Sequence, residues 1–373
     1  MLLPSRVVPV VTVASVDGVL RASAVAGLLC DVPGAYVVQH DVQHDAGPGG
    51  GDGTDHDADG GTRLRRTVHA RSGVVEQVDV DLGHGCLSCA LREDVLPTLR
   101  RLAEDLPPLL VLALPVAAEP LPVVRALQHE GGRLRAGGVV TVVDAESLVE
   151  DLLGADTLDE RGLGLFAGDE RALGEALAHQ VELSDVVATS RPPGPTASRL
   201  LAHLATPRFP IEVRDVHDLA PGRLAALLRP GHDPRGDVQA VRPAPAGDGD
   251  GVWTLDLRPA RPLPPGRVLD RGEDLGRGRI RARGHLWLPS RPGTACAWDG
   301  AGGQLSIGSV GPWRRRAGTR IVITGTDPAD RTRLTQAFRG LELTDDEAAR
   351  GTHWWRRHGD DLDPWLGDAA ECA

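Results

Sequence analysis

Val7-Val8-Pro9-Val10-Val11-Thr12-Val13 is an almost wholly apolar, β-branched run near the start of the chain. A strand covered on both faces in a parallel sheet reads this way, whereas a strand with one wet face alternates apolar with polar residues. Similar short runs follow at Ala35 to Val38, Leu109 to Leu114 and Val139 to Val143, with a weaker one at Val186 to Thr189. Between them lie segments of helical period, at about Leu20 to Leu29, Leu91 to Leu106, Pro122 to His129 and Leu173 to Leu183. Strands alternating with helices predict a doubly wound, mostly parallel α/β domain whose ligands sit at the carboxyl ends of the strands.

Two stretches interrupt this order. His40 to Gly61 is rich in Gly and Asp and contains His40, His44 and His56; with almost nothing to bury, it reads as a mobile loop. Residues 229–276 are rich in Pro, Gly, Arg and Asp and read mainly as a linker, although Val252-Trp253-Thr254-Leu255-Asp256-Leu257 alternates like a strand that opens the next domain. Strand-like runs return at Ile280 to Leu288, Ala295 to Trp298, Gln304 to Ile307 and Arg320 to Thr324. They are followed by an N-cap pattern at Asp327-Pro328 and a capping box at Thr344 to Glu347. The expected organisation is a first domain over 1–228 containing the loop 40–61, a linker at 229–276, a small α+β domain over 277–350 and a C-terminal tail at 351–373.

The chain has 373 residues with 41 basic and 52 acidic side chains, a formal net charge of −11, which argues against general nucleic-acid binding. It contains no lysine and no asparagine, so chemistry that needs a lysine amine is excluded. The first residues, Met1 to Arg6, lack the pattern of a signal peptide, and the longest apolar stretch, Leu106 to Ala118, is broken by Pro107, Pro108 and Pro115. No membrane segment is expected. Five cysteines, of which only Cys86 and Cys89 are neighbours, do not form a disulfide framework; the expected compartment is the cytoplasm.

The sharpest chemical signal is Gly83-His84-Gly85-Cys86-Leu87-Ser88-Cys89, between the strand-like Val74 to Leu82 and a helix carrying Leu91, Val95, Leu99 and Leu102. At a strand-to-helix turn the helix dipole favours thiolates, the form that binds zinc and also the form that attacks disulfides. Cys86 and Cys89 together can chelate one tetrahedral zinc, with His84 and a residue of the His/Asp loop nearest to complete the set. A dithiol redox pair and an incidental buried pair remain open on spacing alone. His40, His44 and His56 are secondary candidates for metal contact.

A phosphate-binding loop would stand after the first strand. There the chain reads Val13-Ala14-Ser15-Val16-Asp17-Gly18-Val19-Leu20-Arg21-Ala22-Ser23, with one glycine, no lysine and an aspartate that repels phosphate. Arg21 and Ser23 stand where Lys and Ser/Thr are expected, but a long planar guanidinium seldom replaces a point charge. No phosphate binding is expected at this turn.

Together these pieces resemble the CobW-type family of metal-handling P-loop GTPases, over most of the chain. Gly85-Cys86-Leu87-Ser88-Cys89 is similar to the family's Gly-Cys-x-Cys-Cys motif with Ser88 at the middle cysteine, and Leu91-Arg92-Glu93-Asp94-Val95 to the segment after it. Leu114 to Pro122, with Glu119-Pro120, and Val140 to Ala145 resemble the family's next strand ends. Arg283-Gly284-His285-Leu286-Trp287-Leu288-Pro289-Ser290-Arg291-Pro292, Trp298, Ala301 to Leu305 and Gly311-Pro312-Trp313 resemble its C-terminal domain. The guanine-reading Asn-Lys-x-Asp is replaced by Thr189-Ser190-Arg191-Pro192-Pro193.

The resemblance implies a P-loop-like sheet domain followed by a small CobW C-terminal domain, with zinc as the metal and Cys86, Cys89 and His84 as its ligands. The departures imply a pseudo-GTPase without GTP. The implied role is a metallochaperone or metal-responsive protein whose partner is a client metalloprotein or a ribosome-associated protein. One branch of similar proteins recruits a ribosome hibernation factor under zinc limitation. Arg314-Arg315-Arg316 after Trp313 has the composition of an interface anchor, which makes the C-terminal domain the expected recognition half.

Overall fold

The computed structural model describes residues 7–43, 63–81, 90–130, 132–166, 168–205, 211–226, 235–358 and 360–367. The opening run forms β1 (Val8–Ser15), buried at every position. Val8, Val10 and Ala14 enter one core and Val11 and Val13 another, because successive strand side chains point to opposite faces. The chain continues through α1 (Gly18–Asp31), β2 (Tyr36–Gln43), β3 (Arg63–Ala70) and β4 (Gly73–Asp81), then a π-wound turn over Leu91–Val95 that runs into α2 (Leu96–Leu102). After these come β5 (Leu110–Ala113), α3 (Leu121–Glu130), β6 (Leu134–Val143), α4 (Leu148–Leu153), α5 (Leu173–Leu183), β7 (Val186–Thr189), α6 (Pro195–Leu204), β8 (Glu212–Asp215) and α7 (Pro221–Ala226).

These strands make one sheet in the order β4-β3-β2-β5-β1-β6-β7-β8. The six strands from β2 to β8 in that order are parallel, and the β3-β4 hairpin is added antiparallel at the β2 edge. Leu99, Leu102, Val123 and Leu127 cover one face from α2 and α3, and Ala24, Val25, Leu28 and Leu224 cover the other from α1 and α7. This is the doubly wound α/β arrangement that the sequence pattern predicts.

The loop expected from His40 is corrected at its start. His40 to Gln43 continue β2, because β3 pairs with them through His40↔Arg66, Asp41↔Arg65 and Val42↔Leu64 and so satisfies their backbone groups. His44, His56 and the rest of that stretch to Gly61 lie outside the described residues.

The second sheet is antiparallel, ordered β12-β11-β10-β13-β9. Its strands are β9 (Trp253–Leu257), β10 (Ile280–Leu286), β11 (Thr294–Ala301), β12 (Gln304–Pro312) and β13 (Arg320–Gly325). β9 pairs with β13 from Trp253↔Gly325 to Leu257↔Ile321, so the alternating run inside the Pro/Gly-rich stretch is the edge of this sheet. One face carries Ile280, Ala282, Leu286, Trp298, Ile321 and Ile323 against helices α8 (Pro265–Asp270), α9 (Gly272–Gly276) and α10 (Pro328–Ala337). The capping box at Thr344 opens α11 (Asp345–Ala349) as its sequence predicts.

Residues beyond 350 add Leu362 and Leu366 to the same core. They are tied down by Asp360, whose Oδ2 accepts from Arg291 Nε at 2.8 Å and Ser290 Oγ at 2.6 Å, with the Arg291 and Asp360 side chains fully buried. Without Asp360 the buried Arg291 guanidinium keeps, among the described residues, only the half-exposed Asp363 as a carboxylate partner, and losing one partner of a buried ion pair is strongly destabilising. Asp360→Ala is therefore expected to lower unfolding free energy by about 3 kcal/mol, read from urea denaturation, and an unchanged midpoint would show that the segment does not anchor the second core.

Candidate functional site

At the carboxyl end of β1 the chain turns directly into α1. Asp17 is extended (φ −123°, ψ 114°) and caps the helix: its Oδ1 accepts from Val19 N at 2.7 Å and Leu20 N at 2.9 Å. The first amides of a helix have no internal partner and attract an anion, which is how phosphate-binding loops work. Here the chain's own carboxylate holds that place. Gly18 to Leu20, which would have to form the cradle, are the first turn of the helix instead.

Arg21, at the place of a phosphate-binding lysine, is buried and turned inward. It donates to Leu114 O at 2.5 Å and His40 O at 3.3 Å, and it pairs with Asp41, whose other oxygen takes Gln39 Nε2 at 2.7 Å. The loop after β5 closes over the same end of the sheet. Ala117 adopts a left-handed φ of 63°, a strain an L-residue holds only where its surroundings fix it, and its N–H donates to Ser15 O at 2.9 Å. Gln180 of α5 adds a bond to Ala118 O at 2.9 Å. At the replaced guanine-reading segment, Arg191 pairs with Glu146 on the surface.

Cys86, Cys89 and His84 lie outside the described residues. Their flanks are described: β4 ends at Asp81, and the helical stretch begins again at Leu91. Asp94 in that stretch is buried and takes His40 Nε2 at 2.7 Å and Arg66; Arg66 also pairs with Glu76 of β4. His40 is thus held by a carboxylate inside the sheet's edge rather than presented from a loop. Among the described residues, no group of three or more His, Cys, Asp or Glu side chains is arranged to hold a metal ion.

A second constellation joins the two sheets. His179 of α5 places Nδ1 3.2 Å from Glu119 Oε2, in the loop after β5, and Nε2 3.0 Å from Asp299 Oδ2 on β11. Arg281 of β10, 2% exposed, binds both oxygens of Glu182 at 2.8 and 2.9 Å and also pairs with Asp299. Arg283 reaches Glu182 at 3.1 Å and Leu204 O at 2.9 Å. These six side chains line a cavity of about 130 Å³ between the domains.

Burial opposes every charge in this seam, and the partners decide the outcome. It would lower the His179 pKa, but Asp299 and Glu119 raise it well above the ordinary histidine value. It would raise that of Asp299, but Arg281 and His179 hold it well below the usual carboxylate range. Glu175, one turn before His179, is pushed up, chiefly by burial.

Sequence reasoning placed Glu119 in a recognised stretch but missed His179, Glu182, Arg281, Arg283 and Asp299 as a unit. A signal was present: Arg281, Arg283 and His285 alternate with Ala282 and Gly284 within the strand-like run Ile280 to Leu288. A sheet whose second face is polar and buried must meet another polar surface.

Residues 65–191 match the family model described as CobW/HypB/UreG, nucleotide-binding domain, and residues 252–342 match the cobalamin synthesis protein cobW C-terminal domain. A protein named zinc chaperone from Mycobacterium tuberculosis (strain ATCC 25618 / H37Rv) is 27% identical over 96% of this chain and 94% of its own length. The zinc-regulated GTPase metalloprotein activator 1 of Dictyostelium discoideum is 25% identical over 68% of this chain and 57% of its own. The Zn(II)-bound YjiA GTPase from E. coli aligns over 91% of this chain and all of its own, at 16% identity and a TM-score of 0.37. Among the described residues, no helix is long and apolar enough to cross a membrane.

The seam makes stability depend on pH in a defined sense. A raised His179 pKa contributes stability that is complete below the unfolded value of about 6.5 and is lost as pH rises through the folded value. A lowered Asp299 pKa contributes stability that is complete above the unfolded carboxylate value and is lost as pH falls below it. The urea midpoint is expected to decline from neutral into alkaline pH in the wild type and to decline less in His179→Gln. Parallel profiles for the two proteins would remove His179 from the seam's energetics.

Proposed function

This chain belongs to the CobW-type family, with the nucleotide-binding domain ahead of the C-terminal domain, and on that premise we propose that it carries zinc as a metallochaperone without binding or hydrolysing GTP. The zinc reading is supported by one relative named for zinc over 96% of the chain and a second over 68% of it, and by the thiol pair at Cys86 and Cys89. The reading that GTP plays no part rests on one observation, the Asp17 carboxylate seated on the first amides of α1. A triphosphate would have to displace that carboxylate, unwind the helix's first turn and meet Arg21 already committed to Leu114 O and Asp41. Each change costs hydrogen bonds that the fold now makes.

Zinc is cargo in this reading. Cys86 and Cys89 hold it as thiolates, with His84 beside them, and Ser88 contributes nothing because its hydroxyl stays protonated near neutral pH. Two sulfurs bind more weakly than three, and an incomplete ligand set leaves a position from which a client metalloprotein takes the ion. Protonation of the thiolates as pH falls releases it. The first domain has apolar cores of its own, so chelators strip the metal without unfolding it.

Metal analysis of the wild type beside Cys86→Ser and Cys89→Ser tests the cargo site, and isothermal titration of the wild type with GTP tests the nucleotide reading. The expected results are zinc in the wild type, less in both variants, and no heat of GTP binding. Equal zinc in all three proteins rejects the site. Micromolar GTP binding rejects the pseudo-GTPase.

A further inference from the structure

The apolar face of the second sheet is not covered to its edge. On β12, Leu305, Ile307 and Ser309 share that face, because they pair with Gly300, Trp298 and Cys296 of β11, and Trp298 and Cys296 lie in the core. Leu305 and Ile307 pack against this core but are only partly buried. Beside them a groove of about 330 Å³ opens between β12, the helices α8 and α9, and the short helix Asp363–Leu366. Val268, Leu269, Leu305, Ile307, Leu362 and Trp365 supply its apolar lining. Leu269 is 43% and Trp365 61% exposed, and large apolar side chains left in water around an apolar groove mark a contact surface.

Two further features say what the groove takes. β12 is the edge of its sheet: among the described residues no strand pairs with its outer side, and its register with β11 is regular from Gln304 to Ser309. Such an edge leaves a row of amide and carbonyl groups that another extended segment can pair with. The second feature is charge. Glu273 is the one charged side chain in the groove's lining. The arginines nearest to it in sequence are engaged elsewhere: Arg271 donates to Ala337 O at 2.9 Å, and Arg277 pairs with Asp274 at 3.1 Å.

We propose that the groove beside β12 takes an extended, alternately apolar segment of a partner protein, which adds a strand to the sheet's edge, sets its apolar side chains against Leu305, Ile307 and Trp365, and brings a basic residue to Glu273. In strand addition the main chain supplies the affinity and the pockets for alternate side chains supply the specificity. The chain's own last residues, Asp368 to Ala373, carry two carboxylates and no large apolar side chain, so they match neither the lining nor its charge. Arg314 to Arg316, expected to anchor a partner, follow the other end of β12, where Arg314 pairs with Asp237 at 3.1 Å. The proposal uses neither the zinc site nor the nucleotide reading.

The test is fluorescence anisotropy of the full-length chain with the labelled peptide Val-Thr-Val-Thr-Val-Thr-Arg, whose valines and arginine share one face when it is extended. Saturable binding is expected, falling about tenfold in the double variant Leu269→Ser/Trp365→Ser and lost when every peptide amide is N-methylated, which removes the donors of the ladder. Replacing the peptide's arginine by glutamate should weaken binding to the wild type, and Glu273→Arg, a change at an exposed position, should reverse that preference. No saturable binding, equal binding of the methylated peptide, or a preference unchanged by Glu273→Arg would overturn the proposal. So would a dimer in light scattering that the double variant dissociates, since the groove would then belong to a second copy.

Discussion

The amides at the start of α1 need an anion, and Asp17 supplies it from within the chain. That one contact sets what the carboxyl edge of the first sheet can do. With the carboxylate in place the helix begins at Gly18, three residues before Arg21. Arg21 is then free to turn inward, where it joins the ends of β5 and β2. The strained backbone at Ala117 and the amide of Gln180 close the same corner. This end of the sheet neutralises its own charges.

The seam between the domains follows the same logic. Arg281, Arg283, Glu182, Asp299, His179 and Glu119 are costly to bury singly, and each is buried against an opposite charge. The second sheet therefore has an apolar face that builds its own core and a charged face that meets α5, the loop after β5 and the end of α6. Glu119 belongs to that loop and reaches the second domain through His179, whose other nitrogen faces Asp299.

Strands covered on both faces wrote themselves into the sequence as continuous apolar runs, which is why the α/β order was legible from Val8 onward. β3 was not, since Arg63-Leu64-Arg65-Arg66 has the look of a solvated segment. Its arginines are matched by Asp79, Asp81, Glu76 and Asp94 from other elements, and such matches do not show in a local window. The strand at Trp253 was half-legible: its alternation was clear, but Pro and Gly around it read as connector. For the site, Asp17 was recognisable as hostile to phosphate, while its role as a cap follows from backbone angles. The seam was hidden because Arg281 finds Glu182 across 99 residues of chain.

The account stands on the decoupling of metal handling from nucleotide. Its most direct test is the zinc affinity of the full-length protein, measured by competition with a chromogenic chelator in the presence and absence of saturating GTP and magnesium. A carboxylate-filled helix start predicts the same affinity under both conditions. A shift of about tenfold or more, which would be a coupling of roughly 1.4 kcal/mol between the two ligands, would contradict it.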